Sequence, residues 1–193
     1  MRIVVGLGNP GRRYSQTRHN AGFMFIKRLA KEWKIKLKKR NTLVRAGEAM
    51  KSKERVLLIM PQTFMNQSGL AVKGIMDELR IAPEKLIVVY DDLDMSLGEI
   101  RVRKEGGAGT HKGMNSIVHE IETTKFPRIR LGIGSQSYSE DATHFVLSSF
   151  EKGEKILLEK SLEKAQEALE IILAGEIERA MNIYNKRKKA LLN

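Results

Sequence analysis

The apolar run Ile3-Val4-Val5 stops abruptly at Gly6-Leu7-Gly8-Asn9-Pro10-Gly11. A run of this kind reads as a buried strand, and glycines and a proline directly after it force a loop. That loop carries Asn9, Tyr14 and His19 before Asn20, a residue suited to cap the amphipathic helix that follows. Strand, polar loop and helix in succession open an α/β unit, and in open α/β sheets ligands bind in the crevice outside the strands' carboxyl ends. His19 is therefore the first candidate for a general base, and a structural role beside Asn20 is the competing reading.

The rest of the chain repeats this pattern. Phe23, Ile26, Leu29, Ala30 and Trp33 follow a helical period. Lys34, Lys36, Lys38, Lys39 and Arg40 form a basic run that reads as a solvated edge, with phosphate contact as the alternative. Residues 43–50 and 55–60 are expected to form a hairpin about Lys51-Ser52-Lys53-Glu54, and residues 66–80 a helix with Leu70, Ile75, Met76 and Leu79 inward. A β-branched strand over 85–90 ends in Asp91-Asp92-Leu93-Asp94, and 99–103 alternates as another strand. The glycine-rich loop 106–113 precedes a helix over 114–121; 129–133 is a strand, 151–173 a helix, and 177–192 a basic amphipathic helix. Residues 135–149, after Gly134, are expected as a surface loop or a lid. The alternation predicts an α/β fold: a single domain over 1–193 with a twisted mixed sheet and helices on both faces, the hairpin antiparallel and the crossovers parallel.

Composition narrows the partners. Lys and Arg number 35 against 23 Asp and Glu, a net charge of +12, which favours a polyanion, nucleic acid before a membrane surface. The chain has no cysteine, which excludes disulfides, thiol nucleophiles and thiolate metal sites. No apolar run approaches the ~20 residues of a membrane span. A strand beginning at residue 3 leaves no room for a signal peptide, so a soluble, cytoplasmic protein is expected.

Three chemistries compete for the polar loops. Gly6-Leu7-Gly8-Asn9-Pro10-Gly11 matches the dinucleotide fingerprint, but that fingerprint needs a helix opening at the glycines, and here Arg12 to Arg18 intervene. The carboxylate expected ~20 residues later at a strand end is also missing, since Glu32 falls in a helix. Asp91, Asp92 and Asp94 are possible Mg²⁺ ligands, though no phosphate-binding lysine motif lies nearby. Alternatively, Asp91 orients His19 and stabilises the imidazolium, as a carboxylate does in hydrolytic triads. Asn9 and Asn66 offer uncharged amide donors for a carbonyl or an oxyanion, with helix capping as the plain reading of Asn66. His119 and His144 have no evident companion and read as structural.

Four motifs taken together carry a resemblance. Gly6-Leu7-Gly8-Asn9-Pro10-Gly11 with Tyr14 and Thr17-Arg18-His19-Asn20-Ala21-Gly22, then Pro61-Gln62-Thr63-Phe64-Met65-Asn66-Gln67-Ser68-Gly69, then Asp91-Asp92-Leu93-Asp94, then Gly106-Gly107-Ala108-Gly109-Thr110-His111-Lys112-Gly113 resemble, in order, the signature of bacterial peptidyl-tRNA hydrolases. The resemblance implies hydrolysis of the ester joining a peptide to the 3′-ribose of tRNA, with neither metal nor other cofactor. By similarity His19 is the base and Asp91 its orienting partner. Asn66 holds the reacting group, Asn9 contacts the peptide backbone, and Tyr14, Phe64, Met65, His111 and Lys112 shape the substrate site. Arg103 and Arg130, with Lys104 behind them, become the leading phosphate contacts for tRNA, and the protein is expected to act as a monomer without an obligate protein partner.

One position departs from that pattern. The family's His-Asn-Gly reads His111-Lys112-Gly113 here, replacing an amide by an ammonium. Asn115 is positioned to supply a substitute amide, and Lys112 to meet the terminal phosphodiester of the tRNA; the sequence leaves both open. The rival function is a catalytically silent RNA-binding relative of the same fold.

Overall fold

The computed structural model describes residues 1–134 and 142–185. Its frame is a seven-stranded sheet of order β2-β3-β4-β1-β5-β7-β6, built from β1 (Arg2–Gly6), β2 (Lys38–Lys39), β3 (Val44–Lys51), β4 (Glu54–Pro61), β5 (Leu86–Asp92), β6 (Ile100–Arg103) and β7 (Arg128–Gly132). β1 runs parallel to β4 and β5, and β5 parallel to β7. The β3–β4 hairpin and the β6–β7 pair are antiparallel. The sheet is therefore mixed, as expected. At the hairpin turn Ser52 and Lys53 both adopt positive φ, 49° and 61°, the two left-handed residues that a tight turn matched to strand twist requires.

The helices are α1 (Ala21–Glu32), α2 (Ser68–Leu79), α3 (Lys112–Ile121), α4 (Ala142–Leu147), α5 (Lys152–Leu173) and α6 (Ile177–Tyr184). Because successive strand residues point to opposite faces, the central strands serve two cores. Val4, Leu58, Ile87, Val89 and Ile129 meet Phe25, Leu29, Leu162 and Leu169 from α1 and α5. Ile3, Val5, Leu57, Ile59 and Val88 meet Val72, Ile75, Met114 and Ile117 from α2 and α3. This two-sided burial explains why β1, β4 and β5 read as continuous apolar runs rather than alternating ones.

Several sequence expectations need correction. Leu70 is 47% exposed rather than inward. Gly69 presses so closely on α3 that an added Cβ would lie 2.1 Å from the Ser116 carbonyl oxygen, and this contact turns the next residue outward. A 3-10 turn over Met65–Gln67 precedes α2, and α3 begins at Lys112, ahead of the expected 114. The lysines Lys38–Lys39 form a short edge strand themselves, and their exposed charges discourage further strand pairing. Part of the expected loop 135–149 is helix α4; residues 135–141, and the part of the expected C-terminal helix beyond Asn185, lie outside the described residues. His119 and His144, read as structural, are both exposed.

Gly22, in the first turn of α1, serves packing. Leu7 N–H donates to the Val89 carbonyl (2.9 Å) and Phe23 N–H to the Leu7 carbonyl (3.0 Å), drawing the first turn of α1 onto the end of β1. A Cβ on Gly22 would lie 2.4 Å from both Leu7 N and Val89 O. Gly22→Ala should therefore destabilise the fold by ~3 kcal/mol, whereas Gly74→Ala, at an exposed α2 position with nothing within 4 Å of the added Cβ, should stabilise it by ~0.5–1 kcal/mol. Urea unfolding of the two variants measures both shifts, which should have opposite sign.

Candidate active site

Parallel pairing of β4, β1 and β5 delivers three loops to one edge of the sheet. The loop after β1 brings Asn9 and His19, the turn after β4 brings Phe64, Met65 and Asn66, and β5 itself ends in Asp91 and Asp92. The N-terminus of α3 adds His111 and Lys112, and α4 supplies a wall. Together they surround a cavity of about 890 Å³, large enough for a substantial ligand.

Asp91 lies buried in its wall. The residue is 2% exposed, and each carboxylate oxygen has an imidazole partner: Oδ2 with His19 Nδ1 at 2.8 Å, Oδ1 with His111 Nε2 at 3.0 Å. Proton positions follow from the neighbours. His111 caps α3, its Nδ1 accepting the Met114 N–H at 3.2 Å, so Nε2 carries the ring proton and donates to Asp91. His19 donates from Nδ1 to the other oxygen, which leaves His19 Nε2 as an unprotonated base. Burial pushes the Asp91 carboxyl pKa upward, but the two histidines and their hydrogen bonds outweigh it and hold the carboxyl well below the usual carboxylate range. His111 lines the cavity, with its ring nitrogens bonded to Asp91 and to the α3 cap. The His111 ring also lies tilted 4.9 Å from that of His19 and edge-on 4.9 Å from that of Tyr90.

The amides are set by equally specific bonds. Asn20 sits at the α1 N-cap but makes no side-chain capping bond. Its Oδ1 accepts the Asn9 N–H (2.8 Å) and its Nδ2 donates to the Asn9 carbonyl (3.0 Å). Asn9 Oδ1 accepts the Met65 N–H at 2.8 Å, which leaves Nδ2 as the donor available to a ligand carbonyl. Asn66 makes no capping bond to α2, whose N-cap is Gln67; it is exposed and lines the cavity. Met65 is buried while Phe64 is half exposed. Tyr14 packs edge-on against Phe64, ring centroids 6.5 Å apart, from outside the cavity lining. Asn115 does not replace the missing amide: its Nδ2 donates to the carbonyls of Gly109 (3.0 Å) and His111 (3.2 Å).

The basic residues divide by position. The β6–β7 register pairs Arg101 with Arg130 and Arg103 with Arg128, and residues two apart on a strand share a face, so all four arginines face one way. Arg103, Arg128 and Arg130 line the cavity, as does Lys112. Arg130 is ion-paired with Asp92, and Arg128 is buried, donating to the carbonyls of Gly107 and Thr124, 2.9 Å each. Lys104 lies outside the lining, paired with Glu178 at 2.9 Å. Sequence reading missed Arg128 and Tyr90; the Arg128-Ile129-Arg130 alternation was the available signal for the first.

A magnesium cluster at Asp91, Asp92 and Asp94 does not fit these bonds. Asp91 serves two imidazoles, and Asp92 accepts from Arg130 and from the Asp94 N–H. His19, Asp91 and His111 offer ligand atoms within 4.8 Å of one another, but both imidazole nitrogens that face Asp91 carry protons.

Because the folded pKa of Asp91 lies below the unfolded value of ~3.9, its contribution to stability is present above that value and is lost as pH falls through the folded pKa. Asp91→Asn should cost ~1–3 kcal/mol at neutral pH. Denaturant titrations at descending pH should show the gap to the parent protein closing once pH drops below ~3.9; a gap constant to strongly acid pH would contradict the buried carboxylate.

The sequence profile of the family described as "Peptidyl-tRNA hydrolase" matches residues 3–191. A peptidyl-tRNA hydrolase of Alkaliphilus metalliredigens is 46% identical over 185 residues, covering 96% of this chain and all of that protein. One of Synechococcus elongatus is 46% identical over 192 residues, covering 96% and 92%. The crystal structure of peptidyl-tRNA hydrolase from Acinetobacter baumannii superimposes with a TM-score of 0.91 at 37% identity, covering 98% of this chain and 97% of that one. With full-length similarity in both sequence and fold, the chain belongs to the peptidyl-tRNA hydrolase family.

Proposed function

We propose that this protein hydrolyses peptidyl-tRNA, with His19 as general base. The observation that carries the reading is the bond from His19 Nδ1 to the buried Asp91 carboxylate, because it leaves Nε2 basic beside a cavity that suits the substrate end. A water held between Nε2 and the ester carbonyl gives up its proton to His19 as its oxygen attacks the carbon. Asp91 stabilises the imidazolium that forms and remains ionised itself. The amide donors of Asn66 and Asn9 stabilise the developing oxyanion and align the peptide. Collapse breaks the bond to the ribose oxygen, His19 returns the proton to that oxygen, and the products are free tRNA and a peptide carboxylic acid that ionises in solution. An ester is activated enough that one base and aligned donors suffice, and no covalent intermediate is required.

The arginine face of β6 and β7 supports a tRNA contact. Phosphates bound there give affinity without reading sequence, as general recycling of tRNA requires. Arg103, exposed and without an ion-pair partner among the described residues, is the strongest candidate; Arg130 shares its charge with Asp92 and ranks second, and Lys104 and Lys112 follow. The protein is read as a monomeric enzyme working as one domain over residues 1–193, because one chain supplies the base, its orienting carboxylate and the amide donors of the same cavity. A translation substrate and a chain without cysteine favour the cytoplasm. The intact His19–Asp91 pair argues against the catalytically silent relative.

His19→Ala should lower kcat at least ~10³-fold while leaving tRNA affinity within about threefold, measured by release of labelled peptide and by filter binding; an active His19→Ala enzyme refutes the assignment. Arg103→Ala should weaken tRNA binding and reduce the slope of log affinity against log salt by ~1. An unchanged slope removes Arg103 from the tRNA surface.

A further inference from the structure

The residue before the proposed base is Arg18, a buried cation outside the cavity lining. Its guanidinium gathers separate parts of the fold. Nη1 donates to the Ile133 carbonyl at 3.0 Å, Nε to Ser148 Oγ at 3.2 Å and Nη2 to Glu154 at 2.6 Å. The guanidinium carbon lies 4.4 Å from the ring centre of Phe145 and 4.9 Å from that of Phe150. The backbone repeats the connection: Arg18 N–H donates to the Ser148 carbonyl at 3.0 Å, and Thr17 bridges to Ser149. Phe145, Ser148, Ser149 and Phe150 lie within or just after α4, whereas Ile133 follows β7 and Glu154 lies in the first turn of α5; Ala142, Thr143, Val146 and Leu147 of α4 form a wall of the cavity.

A guanidinium this deeply buried is an expensive way to fasten a helix, since well-packed apolar residues commonly serve as well or better. What an arginine adds is direction. Its planar fork fixes several partners at defined angles, which an apolar contact does not. Glu154 is itself held on both sides: the same Oε2 accepts from Arg18 and from the Glu151 N–H at 2.8 Å, within the capping box of α5. Arg18 thus joins the start of α5, the end of α4 and the end of β7 to the turn that presents His19.

We propose that Arg18 is a positioning residue for the hydrolytic reaction, holding the α4 wall and the His19 turn as one unit so that a substrate seated against α4 meets His19 Nε2 in register. The proposal rests on His19 being the base. In this arrangement the wall contributes to catalysis only while Arg18 couples it to the base, so wall and arginine act non-additively.

A double-mutant cycle on kcat/KM tests this, pairing Arg18→Lys with Leu147→Ala, a wall residue exposed enough to be truncated without opening the core. Arg18→Lys alone should reduce kcat/KM by ~10-fold with the pH midpoint of the profile unchanged, because the base is displaced rather than replaced. The combined loss should be at least ~3-fold smaller than the product of the single losses. A combined loss closer to the product than that overturns the coupling, as does Arg18→Lys with unaltered kcat/KM. If Arg18→Lys fails to fold, as judged by thermal unfolding, Glu154→Gln takes its place in the cycle with the same criterion. His19→Ala assayed alongside separates the two claims: activity in that variant removes the base, whereas its inactivity together with additive losses removes only the role of Arg18.

Discussion

A carboxylate withdrawn from water must be paired or it unfolds the structure that holds it, and Asp91 solves this problem with two imidazoles. The solution dictates much of what surrounds it. β5 has to lie beside β1 so that the loop after β1 returns His19 to one oxygen, and α3 has to begin where His111 can reach the other while capping its own helix. With both oxygens occupied and the proton on His111 fixed by Met114, the tautomer of His19 follows. Satisfaction of a buried charge and orientation of the His19 ring are here a single arrangement.

Around that centre the chain separates two tasks. Around His19 it places uncharged amides, with Asn9 oriented by Asn20 and the Met65 N–H, and under the proposed function these are the donors to the oxyanion. Farther along the sheet it concentrates charge on the arginine face of β6 and β7, the face that the proposed function assigns to phosphate. Lys112, at the start of α3, lines the same cavity; there the chain departs from the pattern it otherwise follows and puts an ammonium in place of an amide.

The sheet and its principal helices were legible because two-sided burial leaves continuous apolar runs and because glycine and proline mark their ends. The order of polar loops was legible too, since parallel strands put their carboxyl-end loops on one edge. What failed to show depended on tertiary contact. Leu70 fits a helical period but is turned out by the close approach of Gly69 to α3. Asn20 has the residue type of a cap, yet its amide is more useful clasping the Asn9 backbone. The bond between His111 Nε2 and Asp91 joins residues 20 apart in sequence, and only the fold reveals it. The six residues of α4 carry too short a period to be distinguished from a loop.

The central claim is that Asp91 sets complementary tautomers on two histidines, and the most direct measurement is long-range ¹H–¹⁵N correlation NMR of the imidazole nitrogens under conditions where both rings are neutral. The account predicts that His19 is protonated on Nδ1 and His111 on Nε2, and that Asp91→Asn releases the preference at His19 while the Met114 N–H keeps the proton of His111 on Nε2. A His19 ring protonated on Nε2 would contradict it, because that nitrogen could not then accept the proton of the attacking water.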